Sequence, residues 1–140
     1  MTEITRQIEI AESPQKVWSQ IDPSNWPNIF SSVKEVNGST NGQPGVGTRV
    51  KIVAGEKHDY SIQYNIEITE FKKMEKIAYR RFGGPLPGKA MMQIKPLQNG
   101  VLFVRTSYYD DDLSDETMQM LCEGMEKDNA RIKELVESKA

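Results

Sequence analysis

The sequence predicts an α+β fold: a curved antiparallel sheet of six or seven strands, two short helices near the N-terminus and one long C-terminal helix. Three observations carry that reading. Tyr60, Ile62, Tyr64, Ile66 and Ile68 alternate with Ser61, Gln63, Asn65, Glu67 and Thr69, the period of a strand with one buried face. Asn99-Gly100 separates two further strand-like runs and is a favoured pair for a tight hairpin turn of type I′. Beyond residue 112 the period changes, and Leu113, Met118, Leu121, Met125, Ile132, Leu135 and Val136 fall near a helical repeat.

The elements follow in order. Ile4, Ile8 and Ile10 mark a half-buried first strand. Ser13-Pro14 then supplies an N-cap and a first helical residue that needs no N–H partner. This helix turns Val17, Trp18 and Ile21 inward and is expected to stop at Asp22-Pro23. A second helical turn is expected over residues 26–30. Gly38, Gly42, Pro44, Gly45 and Gly47 make a turn-rich stretch between two strands. After the alternating strand that begins at His58 come strands at residues 77–81, 90–94 and 101–109, a meander rather than a βαβ arrangement. Asp112 or Ser114 can cap the last helix, Asp115 and Glu116 suit its positive end, and Glu123 and Lys127 are spaced to pair.

Size and composition set the outer bounds. The length of 140 residues suits one domain over residues 1–140. A formal net charge of −2 lacks the basic excess of a nucleic-acid protein, so no nucleic-acid partner is expected. A single cysteine, Cys122, forms no internal disulfide and fits a reducing, cytoplasmic setting. Residues 101–104 are the longest unbroken apolar run, too short for an integral membrane segment.

A sheet of this size curls, because each strand is rotated by about 20–25° against the next. One helix, about 10–12 Å across, does not fill its concave side. The remaining space is either plugged by large side chains or left as a cavity.

The order of elements, together with Ile8-Glu9-Ile10-Ala11-Glu12-Ser13-Pro14-Gln15-Lys16-Val17-Trp18, Asn25-Trp26-Pro27, Ser32-Val33-Lys34-Glu35-Val36 and Gly45-Val46-Gly47-Thr48-Arg49-Val50, resembles the START-like, polyketide cyclase/dehydrase superfamily (SRPBCC). The resemblance extends to the long helix ending at residues 128–137 and spans nearly the whole chain. It implies the helix-grip fold, with a cavity between the sheet and the last helix. It also implies a binder or carrier of lipids, sterols, polyketides or hormones, or, in a minority of members, an aromatase/cyclase. Chaperone-ATPase activators share the superfamily. Fold does not choose among these roles.

Several motifs lose their chemistry on inspection. Gly83-Gly84-Pro85-Leu86-Pro87-Gly88-Lys89 nearly matches a phosphate-binding loop. Ala90 stands where a hydroxyl is needed, however, and two prolines remove backbone donors. Asp110-Asp111-Asp112 with Ser114 begins like a calcium loop, but Asp115 and Leu121 occupy the positions of its Gly and Glu. Asn37-Gly38-Ser39 fits the glycosylation pattern without a secretion signal and reads as a turn. His58 is the only histidine, read as a strand-edge or surface residue rather than a lone base. No metal and no cofactor are expected.

The candidate ligand-binding residues are Trp26, Phe30, Tyr60, Tyr64, Tyr79, Arg81, Met92, Met118, Cys122 and Met125. Phenol hydroxyls and one arginine among aliphatic residues suit a mainly apolar pocket with a few orienting polar groups, although each residue also fits ordinary core packing. Ile77, Tyr79 and Arg81 share one face of their strand and Lys76, Ala78 and Arg80 the other; a slip of one residue would exchange the two arginines. An inward Arg81 would favour a ligand with an acidic or ketone end. Residues 83–88 and the turn around Trp26 are expected to form a moving rim. The function expected is binding of a small hydrophobic molecule. A polyketide cyclase or dehydratase using the same cavity is the alternative, and a protein-interaction module the second alternative. The oligomeric state is left open.

Overall fold

The computed structural model describes residues 1–30, 33–37, 45–54 and 62–137 of the chain. His58, Tyr60, Ser39 and the first part of the glycine-rich stretch lie outside the described residues.

Strand β1 (Thr2–Ile10) buries Ile4 and Ile10. Ser13 caps α1 (Pro14–Trp18), its Oγ accepting from the Lys16 N–H. The helix ends at Trp18, earlier than Asp22-Pro23 suggested. Bonds from Gln20 N–H to Val17 O and from Ile21 N–H to Trp18 O wind the chain into tighter turns of the 3₁₀ type there, and Ile21 still reaches the core. A 3₁₀ turn at Pro23–Asn25 leads into α2 (Trp26–Ile29).

Six strands follow: β2 (Val33–Asn37), β3 (Arg49–Ala54), β4 (Ile62–Lys72), β5 (Lys76–Phe82), β6 (Gly88–Leu97) and β7 (Gly100–Tyr109). With β1 they form one seven-stranded antiparallel sheet in the order β1-β7-β6-β5-β4-β3-β2. Register shifts between Val33 and Glu35 and between Ile68 and Glu70 bend the far strands, which favours curvature.

The β6–β7 turn departs from the sequence reading. Leu97 pairs with Gly100, so Gln98 and Asn99 occupy the turn, and neither has positive φ. A type I′ turn is therefore absent. Gly100 serves instead where β7 passes the end of β1, because a Cβ there would meet Ile10 O.

Helix α3 (Asp115–Glu137) is capped by Ser114, whose Oγ accepts from the Thr117 N–H at 3.1 Å. Asp112, the other cap candidate, pairs with the N-terminal ammonium at 2.8 Å. Glu123 accepts from Gln119 Nε2 rather than from Lys127. Polar contacts fasten α3 along its length: Arg6 to Glu126 at 3.3 Å, Arg131 Nε to Asn28 O, Lys133 Nζ to Glu9 O, and the Ala11 N–H to Glu137. The helix thus lies against β1 and reaches α1 and α2. Among the described residues no helix is long and apolar enough to cross a membrane.

Candidate functional site

Strand alternation decides what faces α3. On β7 the inward row is Val101, Phe103, Arg105, Ser107 and Tyr109; on β5 it is Ile77, Tyr79 and Arg81; on β6 it is Ala90, Met92 and Ile94. From α3 the buried residues are Met125, Asp128, Asn129, Ile132 and Val136.

The buried apolar residues fall into two groups. The larger contains Trp26, Phe30, Tyr79, Met92, Phe103, Ile132 and Val136, with Tyr64 packed against it. The smaller gathers Ile4, Tyr109 and Met125, with Leu86, Leu113, Met118, Leu121 and Cys122 around them. Polar residues separate the two along β7 and along α3. On β7, Arg105 and Ser107 stand between Phe103 and Tyr109. On α3, Asp128 and Asn129 stand between Met125 and Ile132. A polar belt therefore crosses the interior where an ordinary core would be continuous.

The structure gathers the candidates on both sides of this belt, Tyr60 lying outside the described residues. Trp26, Phe30, Tyr64, Tyr79 and Met92 belong to the larger group; Met118, Cys122 and Met125 belong to the smaller. Trp26 is only 1% exposed, its Nε1 donates to Ile21 O, and its ring lies 5.0 Å from that of Tyr79 and 5.5 Å from that of Phe30. It is an interior residue and not part of a rim, because its large ring is packed edge-on and tilted against two other rings and its one donor is occupied.

Burial pushes the phenols of Tyr64 and Tyr79 up; for Tyr64 the neighbouring Tyr79 adds to this, while Arg81 and Arg105 partly oppose it for both. Both therefore stay protonated at neutral pH, able to donate a hydrogen bond but unsuited to remove a proton.

Arg81 does share the inward face with Ile77 and Tyr79. Arg80 points away, pairing with Glu67 at 2.6 Å and stacking 4.1 Å over Phe82. Yet the Arg81 donors are already engaged. Nε donates to Leu86 O, Nη1 to Lys89 O and Ser107 Oγ, and Nη2 to Tyr108 O, with the guanidinium 4.6 Å over the Tyr109 ring. Here it ties the β5–β6 loop to β7.

Sequence reasoning missed Arg105, Ser107, Tyr109, Asp128 and Asn129. The signal existed: residues 101, 103, 105, 107 and 109 alternate, and 125, 129, 132 and 136 keep helical spacing. Arg105 lies 4.3 Å over Phe30, and its Nη1 is 3.6 Å from Asp128 Oδ2. Elsewhere an open, polar-walled groove of about 360 Å³ runs between residues 11–14 and 97–100 on the surface.

A family model described as polyketide cyclase / dehydrase and lipid transport matches residues 1–137. No curated protein matches the chain significantly. Solved structures do. A START superfamily protein from Mycobacterium smegmatis is 15% identical, with a TM-score of 0.75 over 99% of each chain. Aha1 from Colwellia psychrerythraea, solved as a dimer, is 16% identical, with a TM-score of 0.75 over 100% of each chain. Ara h 8.0201 is 17% identical, with a TM-score of 0.75 over 99% of each chain. At such identities the likeness concerns the fold, and it bears out the helix-grip arrangement expected from the order of elements. With the family model covering nearly all of a sheet and helix so arranged, the chain belongs to the polyketide cyclase / dehydrase and lipid transport family.

Proposed function

We propose that this protein binds a small, mainly apolar molecule between the concave face of the sheet and α3, as a binder or carrier. One observation carries the reading: the interior is divided by buried polar groups rather than filled by continuous apolar packing. Among the described residues Arg105 Nη1 and both amide atoms of Asn129 are buried without a hydrogen-bond partner; that costs free energy, and a ligand with one polar end would supply the partner. Apolar walls with a few placed polar groups are the usual make-up of a ligand pocket. The family's description, which includes lipid transport, supports the same class of ligand.

Two measurements test it. Mass spectrometry of natively purified protein should detect a retained small molecule. An apolar-binding dye should bind one-to-one, and Met125→Trp, which adds volume beside the belt, should weaken it at least tenfold, at a stability cost no larger than the about 1–3 kcal/mol of ordinary overpacking. Unchanged dye affinity in folded Met125→Trp protein contradicts an interior site. The cyclase or dehydratase reading uses the same groups, with Arg105 and the protonated tyrosines as donors to a carbonyl. Conversion of the retained molecule, rather than its unchanged release, would favour it.

A further inference from the structure

Asn129 is 2% exposed, and among the described residues neither its Nδ2 nor its Oδ1 has a hydrogen-bond partner. Such amides are rare in folded proteins, because each atom forfeits its bonds to water on burial. Its neighbour Asp128 approaches Arg105 at 3.6 Å, close enough for attraction between charges but too long for a hydrogen bond. Arg105 Nη1 is likewise buried without a hydrogen-bond partner. A donor on β7, in the guanidinium that lies over the Phe30 ring, and a donor and an acceptor on α3 therefore stand unused in one belt.

Charge decides what fits there. Asp128 already answers the charge of Arg105, so a carboxylate entering the belt would meet the Asp128 carboxylate, and among the described residues of the belt no second guanidinium has donors left to grip it. Arg81 is held by Leu86, Lys89, Ser107 and Tyr108. Resting on the binding role proposed above, we infer that the ligand ends in a neutral hydroxyl, alone or beside a carbonyl, held by Asn129 and Arg105, and not in a carboxylate held by Arg81. A hydroxyl can donate to Asn129 Oδ1 while accepting from Asn129 Nδ2 or Arg105 Nη1, which is the capacity left open.

The probes are 2-naphthol, 2-naphthoate and naphthalene, which share a ring system and differ only at the polar end. Calorimetric titration at pH 7 measures each against the wild type and Asn129→Leu. The wild type should bind 2-naphthol about tenfold more tightly than either of the others, the gain of one good hydrogen bond. Asn129→Leu should fold at least as stably, keep its affinity for naphthalene and lose the preference for 2-naphthol. Asn129→Ala gives the same reading if leucine is too large, and if neither variant folds the order of the wild-type affinities is decisive alone. A wild type that prefers 2-naphthoate, or a variant that keeps the preference, overturns the inference. Equal affinity for all three overturns it and leaves the interior site standing. No binding of any probe to folded protein removes the interior site itself, and this inference with it.

Discussion

Four protein acceptors surround the Arg81 guanidinium, so replacing it releases a clamp on residues 83–88. Arg81→Met should lower stability by about 2–3 kcal/mol in urea denaturation, since hydrogen bonds to a charged group are lost together with partly buried carbonyl partners. Arg80→Met should cost under about 1 kcal/mol, because its pair with Glu67 is open to solvent. The reverse order would mean that Arg81 is not a clamp. Tyr64 and Tyr79 give a second test at this scale. A phenol whose folded pKa lies above the free value of about 10 stabilises the fold below pH 10, and that contribution is lost as pH rises toward the folded value. Ultraviolet titration of the folded protein should therefore show both phenols ionising only as the chain unfolds at alkaline pH. Ionisation of either near pH 10 in folded protein contradicts their burial.

At the scale of elements, α3 shows what a pattern reveals and what it hides. Its apolar stripe was legible as a helical period. Asp128 and Asn129 fall in that stripe, but charged and amide side chains on a long helix ordinarily face water, so their residue types hide their place. Asp128 is met there by Arg105 from β7, a contact between elements that no local period encodes. Arg81 was legible as inward-facing by alternation, whereas its engagement depends on how the β5–β6 loop folds back. The hairpin failed for a comparable reason: Gly100 is needed against Ile10, so the turn moved to Gln98 and Asn99. The cap of α3 was legible to within two candidates. Ser114→Ala should cost about 1 kcal/mol in denaturant melts, the usual value of an N-cap, and no loss would show that the Thr117 N–H is satisfied otherwise.

Across the whole molecule, seven strands and one long helix leave an interior whose two apolar groups are separated by polar residues. The order of elements was enough to foresee that architecture, while the belt emerged only from Arg105 of β7 meeting Asp128 of α3. The outer surface responds to acid. Glu67 is held below the usual carboxylate range by Arg80, Glu70 by Lys76, Glu137 by Lys133 and the Ala11 N–H, and Asp112 by the N-terminal ammonium. Groups with a depressed folded pKa contribute stability above their unfolded values, near pH 4, and lose it as pH falls through the folded values. Urea midpoints should accordingly be steady above about pH 5 and fall on further acidification, with a shallower fall at about 1 M salt, which screens exposed pairs. An acid limb unaffected by salt would contradict that origin.

The most direct test of the central claim is a two-dimensional ¹H–¹⁵N NMR titration with 2-naphthol, with the Asn129 side-chain amide assigned from its absence in Asn129→Leu. A ligand held in the belt moves that amide pair together with backbone amides of β7 and of α3 around Met125 and Ile132, saturating at one equivalent. Shifts confined to residues 11–14 and 97–100, with the Asn129 amide unmoved, would place the ligand in the surface groove and contradict an interior site.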